Sequence, residues 1–281
     1  MLDNSDEAFG ESLRHTLNRP SEARVYDFYL GGACNFAADR EFGQAQIARY
    51  PDMPLIAREN RAFLQRAVRH LVAAGVRQFV DIGSGLPTAG NVHQVADAAA
   101  PGRTRVVYVD HDPVAQSHSH LLLRKEGDPN RHAALWADLV DTEQLWTRVL
   151  GTGLIDVAEP VGLLLVAMLH FVPDAREPVR AVRWLREQLV PGSFLVISHA
   201  TGEALPPEKL RAAERVRANY EKQATNPGVF RTRHEVAGMF GDWPLVEPGL
   251  VWTPQWPDVS APGYQLDPAR AFILAGVATK P

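Results

Sequence analysis

From residue 78 to residue 198 the chain repeats one unit: a short apolar run, a break, then an amphipathic stretch. That alternation is the mark of a parallel sheet with helices on both faces. The apolar runs fall at 78–82, 105–110, 133–138, 162–168 and 193–198. The fourth is apolar throughout, as expected of a strand buried on both sides. A helix is expected over 54–74, where Ile56, Phe63, Leu64, Ala67, Val68 and Leu71 keep helical spacing and Gly75 supplies a stop. Others are expected over about 91–99, from the Asp112-Pro113 cap onward, and over 177–189 before the Pro191-Gly192 break. After the fifth run the pattern changes. Residues 206–224 are charged and helical with no strand directly behind them, which marks an insertion. A short helix over 233–240 leads into a run at 245–252, and 271–278 closes the chain as a last strand. Residues 253–268, rich in Pro and Trp, read as an ordered surface loop.

The 281 residues suit one large domain with additions, and an apolar fraction of 46% suffices for a buried core. A formal charge of −4 argues against general affinity for nucleic acid or an anionic membrane. With Cys34 as the single cysteine there is no internal disulfide and no cysteine metal cluster. No signal-peptide pattern follows Met1 and no apolar run is long enough to cross a bilayer, so the expected location is cytoplasmic.

The first run breaks into Asp81-Ile82-Gly83-Ser84-Gly85, two glycines one residue apart behind an aspartate. Glycine tolerates the dihedrals of a tight turn and lets a ligand approach the backbone. Asp110 ends the second run and Asp138 the third, each about one strand-and-helix unit after the last. In an open parallel sheet the ligand lies outside the carboxyl ends of the strands, so the three carboxylates would face one crevice. A carboxylate after strand two can accept both hydroxyls of a ribose, and one after strand three an adenine amino group. An aspartate at a strand end can instead simply cap the next helix.

With these residues the chain resembles the class I S-adenosylmethionine-dependent methyltransferases. Asp81-Ile82-Gly83-Ser84-Gly85 is similar to that family's acidic-x-Gly-x-Gly turn, Asp110 and the adjoining His111 to its acidic position after strand two, and Ala137-Asp138-Leu139 to its adenine-contacting segment. The stretch from Val166 through Ala167, Met168 and His170 to Asp174 is similar to the segment after strand four, whose carbonyls hold the methionine ammonium. More narrowly, residues 21–32, 35–40 and 58–63 identify the chain as a member of a bacterial subgroup of S-adenosyl methyltransferases formerly catalogued as a domain of unknown function; Cys34 departs from its pattern. The resemblance implies an α/β fold, Rossmann-like and doubly wound, with a seven-stranded mostly parallel sheet and an antiparallel last strand. It implies S-adenosyl-L-methionine as cofactor, in-line methyl transfer to a small-molecule acceptor, and a monomer or homodimer with no nucleic-acid or membrane partner. It divides the chain into a cap or lid over 1–53 and a methyltransferase domain over 54–281 with a helical insertion at about 203–231. Two rival functions stand beside it. One is a regulatory protein that binds the cofactor without turnover. The other is a dinucleotide oxidoreductase, whose Gly-x-Gly-x-x-Gly fingerprint meets Thr88 at the third position.

The remaining candidates are read one at a time. Tyr26, Phe28 and Tyr29 around Gly31-Gly32 form either a lid over the cofactor or a helix packed on the sheet. Tyr220, Asn226 and Phe230 of the insertion are expected on the acceptor side, unless its helix is a solvated surface element. His170 and His199, after strands four and five, are candidates for a general base, or else histidines bonded within loops. No metal is expected, because His118 and His120 point to different faces of a helix. Trp243, Trp252 and Trp256 either stack an aromatic acceptor or pack the carboxy-terminal region.

Overall fold

The computed structural model describes residues 16–17, 19–87, 90–257 and 272–281. Helices α1 (Glu22–Tyr29), α2 (Ala37–Arg49) and α3 (Met53–Ala73) precede the first strand. The alternating part runs β1 (Gln78–Ile82), α4 (Val92–Ala99), β2 (Arg105–Asp110), α5 (Pro113–Glu126), β3 (His132–Trp136), α6 (Thr142–Gly151), β4 (Val161–Val166), α7 (Pro178–Glu187) and β5 (Phe194–Ala200). Helices α8 (Pro207–Gln223) and α9 (Arg233–Phe240) follow, then β6 (Val251–Trp252) and β7 (Ile273–Thr279). The seven strands form one sheet in the order β3-β2-β1-β4-β5-β7-β6. β1 to β5 are parallel, and β7 runs against both of its neighbours. The doubly wound sheet with an antiparallel last strand is the expected one.

Period-two burial sorts the strand residues onto two cores. Val80, Val107, Leu163 and Leu195 face α6, α7 and α9, while Phe79, Val106, Leu164 and Val196 face α3 and α4. Gly162 in β4 is required by packing, because a Cβ there would lie 2.7 Å from Phe79 and 2.8 Å from Leu71. A third core lies off the carboxyl edge of the sheet, where α1, α2 and α8 meet Ile56, Ala200 and Phe272. This third core builds the walls of the functional region.

Three sequence expectations need correction. The third strand ends at Trp136 and the fourth at Val166, so Asp138 and Met168 lie beyond the strands. The run at 245–252 pairs only through a bridge at Leu245 and through Val251–Trp252. It contains Pro248, which has no N–H to give a ladder. The expected loop over 253–268 is described to residue 257, and there it packs inward. Trp256 is fully buried against Phe63 and His70, and Arg66 donates to the carbonyls of Thr253 and Trp256. The rest of that loop, like Thr88, lies outside the described residues. Among the described residues no helix is long and apolar enough to cross a membrane.

Candidate functional site

The order β3-β2-β1-β4 reverses direction between β1 and β4, and a cleft opens there at the carboxyl ends of the strands. Its empty space, counted to the mouth, is about 1050 Å³, enough for a nucleoside-sized ligand. Asp81, Gly83, Ser84, Gly85, Asp110, His111, Asp138, Leu139, Ala167 and Met168 all line it. The glycine turn is fastened to the second strand, since Gly83 N and Ser84 N donate to the Val109 carbonyl at 2.8 and 3.2 Å. Gly83 and Gly85 have φ of +71° and +66°, the left-handed region that glycine enters at little cost. Gly85 N then donates to Asp110 Oδ2 at 2.7 Å, and Asp112 N to Asp110 Oδ1 at 2.8 Å. Each Asp110 oxygen keeps a further lone pair, so the carboxylate can still accept two hydroxyls. Burial raises its pKa, and His111, whose Nδ1 lies 3.6 Å from Asp110 Oδ1, pulls it back. Asp81 is pushed up to about 7 by burial, against the opposing pull of Arg61. Asp138 Oδ2 accepts from Arg176, another cleft residue, at 2.8 Å.

Beyond β4 the backbone bends sharply at Ala167, with φ of +56°. A chain of hydrogen bonds, buried at the Ser198–Asn60 link, holds that strained residue. Ala167 N donates to Ser198 Oγ (2.9 Å), which donates to Asn60 Oδ1 (2.6 Å). Asn60 Nδ2 donates to Tyr26 Oη (2.9 Å), which donates to the Ala57 carbonyl (2.9 Å). One network therefore joins the bend after β4, the end of β5, α3 and the amino-terminal helix. Ser21 just before α1 and Glu22, Ala23 and Tyr26 within it line one side of the cleft, and Asn226 lines it from the segment after α8. Asn226 N and Nδ2 both donate to the Glu22 carboxylate, and Nδ2 also lies 3.0 Å from His111 Nε2.

The sequence matches the S-adenosyl methyltransferase family over residues 11–281. The chain belongs to that family. A solved structure of a DUF574 family protein from Streptomyces avermitilis MA-4680 is 36% identical with a TM-score of 0.85, covering 94% of this chain and 98% of that one. A protein of Thermobifida fusca YX, provisionally named a methyltransferase, is also 36% identical, with a TM-score of 0.84 over 94% and 96% of the two chains. An O-methyltransferase family protein from Burkholderia thailandensis shares 15% identity, with a TM-score of 0.50 over 85% and 70%, a likeness of fold alone. No curated protein matches the chain.

Within this member of the family several sequence candidates sit elsewhere than expected. The block around residue 28 is a packed helix, α1, and Glu22, Ala23 and Tyr26 of its first turns line the cleft. Gly31 and Gly32 are not among the cleft residues. They turn the chain so that Asp27 can accept from Cys34 N and Asn35 Nδ2, and a Cβ on Gly32 would overlap the Asp27 carboxylate. Tyr29, Tyr220, Phe230 and His170 line a second cavity, about 670 Å³ of empty space counted to its mouth, which shares Glu22, Tyr26, Ala167 and Phe171 with the cleft. His199 lines neither. It is fully buried, Nδ1 donates to the Ala200 carbonyl (2.7 Å) and Nε2 accepts from Arg231 Nη1 (2.8 Å). Burial lowers its pKa to about 4, which leaves it a neutral structural residue with both nitrogens occupied. Arg231 also donates to the carbonyls of Leu169 and Val172 and to Asp174, so it fixes the whole segment after β4. Trp243, Trp252 and Trp256 line neither cavity. Sequence reading gave no role to Asn60, Arg61, Ser21 or Arg176, all of which line the cleft. Asn60 carried a signal, because it stands four residues from both Ile56 and Leu64 on the buried stripe of α3.

Proposed function

We propose that this chain binds S-adenosyl-L-methionine in the cleft at the ends of β1, β2 and β4 and transfers its methyl group to a small molecule. When bound, the cofactor supplies a methyl carbon already activated by a sulfonium. The residues present fit such a ligand. Asp110 offers a desolvated carboxylate with free lone pairs, and a Cβ built on Gly85 would meet nothing within 4 Å, so the backbone borders open space. Asp138 and Leu139 line the wall after β3, where the purine would be received. The observation that carries this reading is the folding of the Gly83–Gly85 turn onto the Asp110 carboxylate at the topological switch point.

In the transfer the acceptor's lone pair forms a bond to the methyl carbon, the carbon–sulfur bond breaks, and its electron pair returns to sulfur. The chain's part is alignment and exclusion of water, which can supply on the order of 7–11 kcal/mol at best. The hydrogen-bonded Ala167–Ser198–Asn60–Tyr26 network holds the wall between the two cavities rigid for that purpose. His199 moves no proton, since both its ring nitrogens are engaged.

Replacing Asp110 by Ala should weaken S-adenosylmethionine binding by about 1–3 kcal/mol, roughly 5- to 150-fold, measured by calorimetry. An unchanged affinity would remove Asp110 from the role. A protein that only sensed the cofactor would bind it equally and give no methylated product in a screen of phenols, amines and carboxylates.

A further inference from the structure

We propose that the second cavity is the acceptor pocket and that it selects a flat, uncharged aromatic molecule carrying a hydroxyl, of the phenol class, whose oxygen takes the methyl group while its proton passes to water. The proposal rests on the methyl-transfer reading above and names the substrate class for it. Its walls argue the flatness. Tyr29, Phe171, Tyr220, Phe230 and Phe272 border the cavity, with Phe171 and Tyr220 rings 5.4 Å apart and Phe230 and Phe272 rings 5.3 Å apart and nearly perpendicular. Rings in tilted and edge-on pairs leave faces against which another planar system can lie.

The polar groups argue the neutrality. The charged residues on this cavity are Glu22 and Arg217. Glu22 is already engaged by Asn226, and burial raises its pKa; Arg217 is paired with Glu221 at 3.5 Å. A carboxylate held here would sit beside the buried Glu22 carboxyl, and the one cation among the lining residues, Arg217, is a part-exposed guanidinium already shared with Glu221, so its loss of water is poorly offset.

One buried polar group faces the other way. His170 Nδ1 accepts from Ala200 N at 3.4 Å, which puts the ring proton on Nε2, and Nε2 has no hydrogen-bond partner among the described residues. Burial, with His199 and Arg231 nearby, holds the ring well below its ordinary pKa and hence neutral. The hydroxyls of Tyr29 and Tyr220 lie 3.5 Å apart, and since one bonds the other, a single hydroxyl proton remains to be donated. An imidazole N–H and a phenol O–H in an apolar pocket want an oxygen acceptor, which a phenol brings. The cavity meets the cofactor cleft at Ala167 and Phe171, so a ring seated here presents its edge toward the methyl donor's site.

The test uses the full-length protein saturated with S-adenosylhomocysteine and titrated with 2-naphthol, which is neutral at pH 7, and with 2-naphthoate of the same shape. The account expects 2-naphthol to bind saturably and naphthoate about tenfold or more weaker, since tenfold is only 1.4 kcal/mol of a larger desolvation cost. Phe230→Lys should abolish 2-naphthol binding, and His170→Phe should weaken it about fivefold or more, one lost hydrogen bond. Both variants should keep the wild-type affinity for S-adenosylhomocysteine, which also reports that they have folded. Equal binding of naphthol and naphthoate, no saturable naphthol binding, or naphthol binding untouched by Phe230→Lys would each overturn the proposal. Failure of S-adenosylhomocysteine to bind the wild-type protein would instead overturn the cofactor assignment, and the naphthol pair titrated without it still decides the chemistry of the pocket.

Discussion

Replacing Gly83 by Val is expected to reduce S-adenosylmethionine affinity at least about 100-fold, which is 2.7 kcal/mol or more. Two independent costs add at this position. A β-branched residue at φ of +71° is a severe outlier, costing about 1–3 kcal/mol. A Cβ there would also lie 2.5 Å from Met168 Cβ and 2.7 Å from its Cγ, atoms too near the backbone to swing aside. The turn and the segment after β4 would have to separate, and both line the cleft. Gly85 sets the comparison, because its φ is +66° while its Cβ would meet open space. Asn tolerates the left-handed region. Gly85→Asn should therefore leave the fold intact and Gly83→Asn should not, as read by thermal melting alongside the titration. Equal behaviour of the two variants would show that the Met168 contact has no energetic weight.

The largest loss of stability is expected from Arg24→Met, about 3–5 kcal/mol by urea denaturation, because it strands buried carboxylates. Arg24 is 1% exposed. Its Nε donates to Asp39 Oδ2 at 2.7 Å, Nη1 lies 3.6 Å from Asp112 Oδ2, and Nη2 donates to the carbonyls of Thr16 and Arg19. Asp39 is wholly buried and also accepts from Ser21 N and Phe36 N at the start of α2. Asp112 caps α5 through Val114 N and accepts from Ser21 Oγ. One guanidinium thus fastens the amino-terminal helices to Asp112, two residues after Asp110 at the end of β2. A loss below about 1 kcal/mol, the range of an exposed ion pair, would contradict this.

The parts of this architecture that were legible in the sequence are those written locally. Apolar runs with Asp81 and Asp110 at their ends announce the strands and the crevice, and Asp112-Pro113 announces the cap that the structure shows. What was illegible depends on residues distant in the chain. His199 is a fair candidate for a base until Arg231, 32 residues later, occupies its Nε2. The left-handed bend at Ala167 cannot be read from an alanine; it is held by Ser198, Asn60 and Tyr26 from three other elements. Gly31-Gly32 looked like a ligand turn because a glycine pair has the same appearance whether its neighbour is a cofactor or, as here, the Asp27 carboxylate.

The central claim is that the cleft at the ends of β1, β2 and β4 receives S-adenosylmethionine, and calorimetric titration of the purified chain tests it most directly. The account predicts saturable binding at one site per chain, competed by S-adenosylhomocysteine, with no heat from a nicotinamide dinucleotide. Binding of the dinucleotide with none of S-adenosylmethionine would contradict it.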